Sequence, residues 1–199
     1  EVRVRSLGVT PGYLNEPEQT REAFDEEGFF KMGDAVTFAD PDHPEAGLRF
    51  AGRIAEQFKL MTGTWVSAGT LRAQLVAALA PMVRDVVVCG LNQSFIAILI
   101  WLNGESDEAA DPSEPFNVDE ETASSIRQAI MAHNMANPAS SQRVERFAVM
   151  TAPASIGEGE VTDKGYVNQG AVQARRQSLV ESLFESEIQP GIFVVDDSI

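Results

Sequence analysis

Cysteine occurs once in the 199 residues, at Cys89, so the chain closes no internal disulfide and offers no multi-cysteine zinc site. Cys89 lies in the apolar run Asp85-Val-Val-Val-Cys-Gly90 and reads as a buried structural thiol, because free cysteine behaves as a small core residue. Cations are scarce: 15 Lys and Arg stand against 30 Asp and Glu, a net charge of -15. Nucleic acid is thereby excluded as an expected partner, since neutralising phosphates takes clustered positive charge. A small anionic nucleotide needs only a few placed cations and backbone N–H groups, so it stays admissible. Long apolar runs are also missing. The longest, Phe95-Ile-Ala-Ile-Leu-Ile-Trp-Leu102, has strand length, against the ~20 residues of a membrane helix, so no membrane span is expected. No signal peptide is expected, and a reducing cytoplasm fits the single thiol. Glu1 in place of Met, leading straight into Val2-Arg-Val-Arg5, reads as the cut end of something longer. The two histidines, His43 in a loop and His133 on a helix, show no metal-ligand or Ser-His-Asp spacing, and no protein metal site is expected.

What is present is enough for a core: 44% of residues are hydrophobic, which suits one substantial domain and a smaller piece. Residues 1–52 read as short strands and turns, with a brief helix near Pro17 to Phe24 capped by Asn15. Large aliphatic side chains are few there, so this β-rich part is expected to lean on further chain. The texture changes from Leu48. A ribbon, Phe58-Lys-Leu and Trp65-Val, flanks Thr62-Gly63-Thr64. A helix over 70–80 stops before Pro81, strands are predicted over 85–89, 95–102 and 144–150, and a helix capped by Asp119 runs to Asn134. The acidic segment 103–115 is a solvated loop. A last helix covers 168–184 and residues 188–199 form an extended tail. The predicted class is α+β (mixed α/β), a small sheet with packed helices over 53–187.

Three segments carry chemistry: Gly28-Phe-Phe-Lys-Met-Gly-Asp34, then Gly52-Arg53-Ile-Ala-Glu-Gln-Phe-Lys59, then Gly157-Glu-Gly-Glu-Val-Thr-Asp-Lys164-Gly165. A carboxylate at a strand end accepts two hydrogen bonds from neighbouring hydroxyls. A guanidinium grips oxygens in fixed geometry. One ammonium on a glycine-flanked loop can meet developing negative charge, or stand as a solvated surface charge. In this order, with Gly8-Val-Thr-Pro-Gly12-Tyr13 upstream, the segments resemble the adenylate-forming superfamily of acyl-CoA synthetases, adenylation domains and luciferases. The stretches Phe58-Lys-Leu-Met-Thr-Gly-Thr-Trp65 and Gly159-Glu-Val-Thr-Asp-Lys-Gly-Tyr-Val-Asn-Gln169 look most like the feruloyl-CoA synthetase group.

The resemblance implies the C-terminal mobile lid of an ATP-dependent carboxylic acid–CoA ligase, preceded by a remnant of its N-terminal domain. It implies ATP, Mg2+ carried with ATP, and coenzyme A as reactants, a small carboxylic acid as substrate, and it allows a homodimer. By the same resemblance Asp34 and Arg53 bind the nucleotide, Lys164 is catalytic in adenylation, and Thr62, Gly63 and Thr64 line the CoA channel. The hinge falls at Ala55 and Glu56, where the family usually has Asp or Lys. Nothing in the sequence resembles the family's phosphate-gripping loop, so the chain alone is expected to be inactive. Two alternatives are an adenylation domain that loads a carrier protein and a non-catalytic α+β binding module.

Overall fold

The unbroken apolar run Ile96–Leu102 forms a strand whose seven side chains are all buried, as happens when both faces of a sheet are covered. It organises the larger of two compact units, Glu1–Gln57 and Phe58–Ile199. The computed structural model describes residues 1–195; the last four residues of the expected 188–199 tail lie outside the described residues.

In the first unit, β1 (Arg3–Val4) pairs antiparallel with β2 (Phe30–Lys31), and β3 (Asp34–Phe38) pairs antiparallel with β4 (Leu48–Arg53). Helix α1 spans Pro17–Ala23. Proline takes its first turn as expected, but the cap position falls on Glu16, with no side-chain capping bond. Asn15 sits one residue too early, in the left-handed region at φ 61°. Thr20 ties down the helix entry instead, its hydroxyl accepting the Tyr13 N–H at 2.8 Å. Every fully buried apolar side chain among the described residues lies at or beyond Leu60, while Phe38, Leu48 and Phe50 on β3 and β4 are more than half exposed.

The second unit comprises β5 (Gln57–Lys59, opening on the boundary residue), β6 (Trp65–Ser67), α2 (Ala68–Ala78), β7 (Val83–Cys89), β8 (Ile96–Leu102), α3 (Glu120–Ala136), β9 (Val144–Met150), α4 (Gln169–Arg175), α5 (Gln177–Ser182) and β10 (Ile192–Val194). Four strands form a mixed sheet in the order β10-β9-β8-β7. Only β8 and β9 run parallel, and a parallel pair needs a crossover, which α3 supplies. Asp119 caps α3 as expected, accepting the Thr122 N–H at 2.8 Å. One sheet face, with Val86, Val88, Ile96, Ile98 and Ile100, packs on α2 and α3 and takes in Leu60 and Val66 of the ribbon. The other, with Val87, Leu99, Trp101 and Met150, packs on Val172 of α4, Leu179 of α5 and Leu183 just beyond it. Helices on both faces of one small sheet make the α+β class plain.

Two expectations need correction. The helix expected over 168–184 is divided at Arg176, whose backbone, at φ -103° and ψ 33°, leaves helical geometry. The tail is more than an extension: Ile192–Val194 adds an edge strand by pairing Ile192 with Ala148, because Ile192 and Val195 complete the two cores. Cys89 is fully buried, and burial pushes its thiol up to about 12, so it stays protonated and inert.

Candidate functional site

Asp34 and Arg53 face each other as partners in the β3–β4 register. Each follows a glycine with positive φ, Gly33 at 74° and Gly52 at 103°, conformations that glycine adopts without a Cβ penalty. The Arg53 Nε lies 3.1 Å from Asp34 Oδ1. This is an ion pair by distance, yet it lacks hydrogen-bond alignment, and Asp34 Oδ1 is a buried acceptor without a hydrogen bond. Leaving such an atom unsatisfied costs on the order of 1–3 kcal/mol. The Arg53 cation 3.1 Å away offsets part of that cost.

Ala55 and Glu56 lie in a 3-10 turn, Ile54–Glu56, directly before the boundary between the two units at residues 57 and 58.

Thr62, Gly63 and Thr64 form the tip of the β5–β6 ribbon. The turn closes through Gly63 N–H to Leu60 O at 2.9 Å and Leu60 N–H to Thr64 O at 2.9 Å. Gly63 has φ 91°, yet a Cβ there would meet nothing nearer than Lys59 Cε at 3.9 Å. The turn therefore demands glycine for its backbone angle and leaves open space above it. Met61 and Trp65 flank that space, both mostly exposed, with the Lys59 ammonium 5.9 Å from the Trp65 ring centre. Thr64 Oγ1 also meets Ser140 Oγ at 3.4 Å, fixing the tip to the segment after α3.

Lys164 stands at the tip of a small hairpin. Val161 and Val167 bridge antiparallel, Thr162 N–H donates to Tyr166 O at 2.8 Å, and Gly165 N–H donates to Thr162 O at 2.8 Å. Lys164 is exposed and makes no ion pair among the described residues, the neighbouring Asp163 included.

Beneath the hairpin lies a group that sequence reasoning missed. Glu160 and Arg176 are both fully buried and joined by Arg176 Nε to Glu160 Oε1 at 2.9 Å and Arg176 Nη2 to Glu160 Oε2 at 3.1 Å. Burial by itself raises the Glu160 carboxyl; the hydrogen bonds from Arg176 and the Ser155 N–H, with the charges of Arg176 and Arg175, outweigh it and hold the group below the ordinary range. A depressed carboxyl contributes stability that is complete above its unfolded value, about 4.3, and is lost as pH falls through the folded value. The gap in stability between the native protein and Glu160→Gln should therefore narrow on acidification below about pH 4.3, measured by denaturant titration at stepped pH. A gap that widens there contradicts the buried, charged pair.

The four-stranded sheet separates the two chemical elements of the second unit. Leu60 and Val66 anchor the ribbon in the core on the α2/α3 face, whereas Val167 anchors the lysine hairpin on the α4/α5 face. Gln169 adds a further tether at the end of the hairpin segment. Its side chain accepts the Val88 N–H at 2.8 Å and donates to Val86 O at 3.0 Å, covering the free edge of β7.

The chain is 27% identical over 195 residues to a carboxylic acid reductase of Segniliparus rugosus, covering 96% of this chain and 15% of the relative. A solved A domain of carboxylic acid reductase from that organism, in complex with AMP and a co-purified carboxylic acid, matches with a TM-score of 0.73 at 25% identity, over 92% of this chain and 27% of that one. The A-PCP didomain of that reductase, in complex with AMP, gives a TM-score of 0.69 at 26% identity, over 92% of this chain and 24% of that one. A putative fatty-acid–CoA ligase of Mycobacterium tuberculosis is 24% identical over 200 residues, covering 97% of this chain and 34% of the relative. The chain thus spans about a third or less of the length of these relatives. A family model described as the AMP-binding enzyme C-terminal domain matches residues 55–188. The chain belongs to that family, and so to the adenylate-forming enzymes.

Proposed function

We propose that this chain forms the C-terminal part of an ATP-dependent enzyme that activates a carboxylic acid and joins it to coenzyme A. In the first half-reaction a carboxylate oxygen attacks the α-phosphorus of ATP, the bond to the bridging oxygen breaks, and pyrophosphate leaves with its electron pair. Asp34 orients the nucleoside through its ribose hydroxyls, Arg53 holds nucleotide oxygens, and Lys164 stabilises charge at the crowded phosphorus. Mg2+ enters with the phosphates rather than on a protein cage. In the second half-reaction the thiol of coenzyme A attacks the acyl carbon and AMP leaves, with the Thr62-Gly63-Thr64 turn lining the pantetheine passage.

The observation that carries this reading is the anchoring of ribbon and lysine hairpin to opposite faces of one sheet. A body built so presents one element or the other, and turning about Ala55 and Glu56 exchanges them between steps. The exposed Phe38, Leu48 and Phe50 support a first unit that belongs to a larger N-terminal domain. The stretches 58–65 and 159–169 favour ferulate or a related aromatic acid, and the buried protonated Cys89 is compatible with a reducing cytoplasm.

A second reading rests on the likeness to the reductase A-PCP didomain: the adenylate is handed to a carrier-protein thiol. The test is pyrophosphate exchange by the intact enzyme with ferulate, benzoate, hexanoate and palmitate, followed by addition of coenzyme A. Exchange with at least one acid and a CoA thioester is the expected result. Exchange without a CoA thioester, but with acylation of a carrier-protein thiol, supports the second reading. No exchange with any of the four overturns both.

A further inference from the structure

We infer that Glu160 and Arg176 are positioning residues for Lys164. They form a buried brace that fixes the base of the lysine hairpin, so that the ammonium moves with the whole domain and not as a loop closing by itself. The inference rests on the reading that Lys164 acts in adenylation.

The segment from residue 151 to 168, between β9 and α4, has little regular structure, and its tip from Thr162 to Tyr166 is exposed. What holds it is the brace at its base. Glu160 uses both oxygens: Oε1 accepts from Arg176 Nε, and Oε2 accepts from Arg176 Nη2, from Arg175 Nη1 at 2.9 Å and from the Ser155 N–H at 2.8 Å. Arg176 spends its remaining donors on the chain leaving β9. Nη1 reaches Ala152 O at 3.1 Å and Met150 Sδ at 3.3 Å, and Nη2 reaches Pro153 O at 3.0 Å. All five N–H groups of the guanidinium thus have a partner. Its Cζ lies 5.1 Å from the Trp101 ring centre, and the indole N–H donates to the same Ala152 carbonyl at 2.9 Å. The brace joins three stretches, 150–155, 160 and 175–176, and the Glu160 carbonyl receives the Asn168 N–H at 2.8 Å, closing the hairpin base.

Stability does not require such a pair, because well-packed apolar side chains of similar volume serve as well or better in a core. What apolar side chains do not provide is a fixed mutual orientation of three chain stretches through a rigid fork of donors. Four residues beyond Glu160, the ammonium inherits that orientation. A misplacement of about 1 Å at a reacting centre costs roughly 10²-fold in rate.

The test uses the intact enzyme with Glu160→Gln/Arg176→Met, which removes both charges and leaves no lone buried ion, and compares it with Lys164→Ala and with the triple variant. Four quantities are read: amide hydrogen exchange over 160–168 and at Ser155, pyrophosphate exchange with the best of the four acids above, acyl transfer from that acid's preformed adenylate, and unfolding midpoint. Expected for the double variant are faster amide exchange in 160–168 and at Ser155, pyrophosphate exchange lower by roughly 10²-fold, and acyl transfer within about twofold of the native enzyme. In the Lys164→Ala background, removing the pair adds no further loss. Unchanged pyrophosphate exchange in the double variant, or a loss of the same size in the Lys164→Ala background, overturns the positioning role. Unchanged pyrophosphate exchange in Lys164→Ala overturns the underlying reading of Lys164 instead.

Discussion

Lys164→Ala in the intact enzyme is expected to lower pyrophosphate exchange by about 10²–10³-fold while acyl transfer from a preformed adenylate changes little. The size follows from the role proposed for the ammonium: attack on the α-phosphorus would build negative charge there, and no other cation occupies the 161–167 hairpin. The asymmetry follows from the anchoring of the hairpin and the ribbon to opposite faces of the sheet, which under the proposed function separates the equipment of the two half-reactions. Lys164→Arg should rescue poorly, since a planar fork does not reproduce a compact point charge on a flexible stem. Stability should stay within about 0.5 kcal/mol, because Lys164 is exposed and has no partner to lose among the described residues. Single-turnover assays of the two half-reactions decide the matter, and equal loss in both would sink the assignment.

Arg176→Ala should be the most destabilising single change in the brace, by about 3–5 kcal/mol, because it strands the buried Glu160 carboxylate without its main partner. That is a large share of the roughly 5–15 kcal/mol by which domains hold together. Glu160→Gln/Arg176→Met should cost clearly less, since it leaves no uncompensated charge. Denaturant unfolding followed by tryptophan fluorescence tests this, with Trp101 stacked beneath the guanidinium as a local reporter. Equal destabilisation by the single and the double variant would show that packing, not charge pairing, is what Arg176 contributes.

Much of this was legible in the sequence. The run 96–102, the Asp119 cap and the strand 144–150 follow from local pattern alone and appear with nearly the expected ends. The Asp34–Arg53 pairing was legible only as two separate motifs, because strand register is a tertiary property. Glu160 was hidden because a glutamate directly after Gly157-Glu158-Gly159 looks like part of a solvated turn. Arg176 did leave a signal. Gln169, Val172, Arg176, Leu179 and Leu183 recur at the three- and four-residue spacing of a helix stripe, and all five are buried. A charge inside such a stripe forecasts a buried partner, and the spacing outweighs the polarity of the residue. The strand at Ile192–Val194 escaped notice because three residues beyond a turn carry too little pattern to read.

The brace also governs which pieces of this domain can be exchanged with a relative. A crossover placed anywhere between Ala152 and Arg176 would take the hairpin from one parent and its arginine, or the carbonyls that arginine holds, from the other. A transplanted loop would then arrive with its lysine intact and its aim unset. Recombinants cut before Met150 or after Arg176 keep the part and its mount together, so in this chain a loop that looks portable in sequence has inheritance boundaries fixed by a side chain twelve residues beyond its tip.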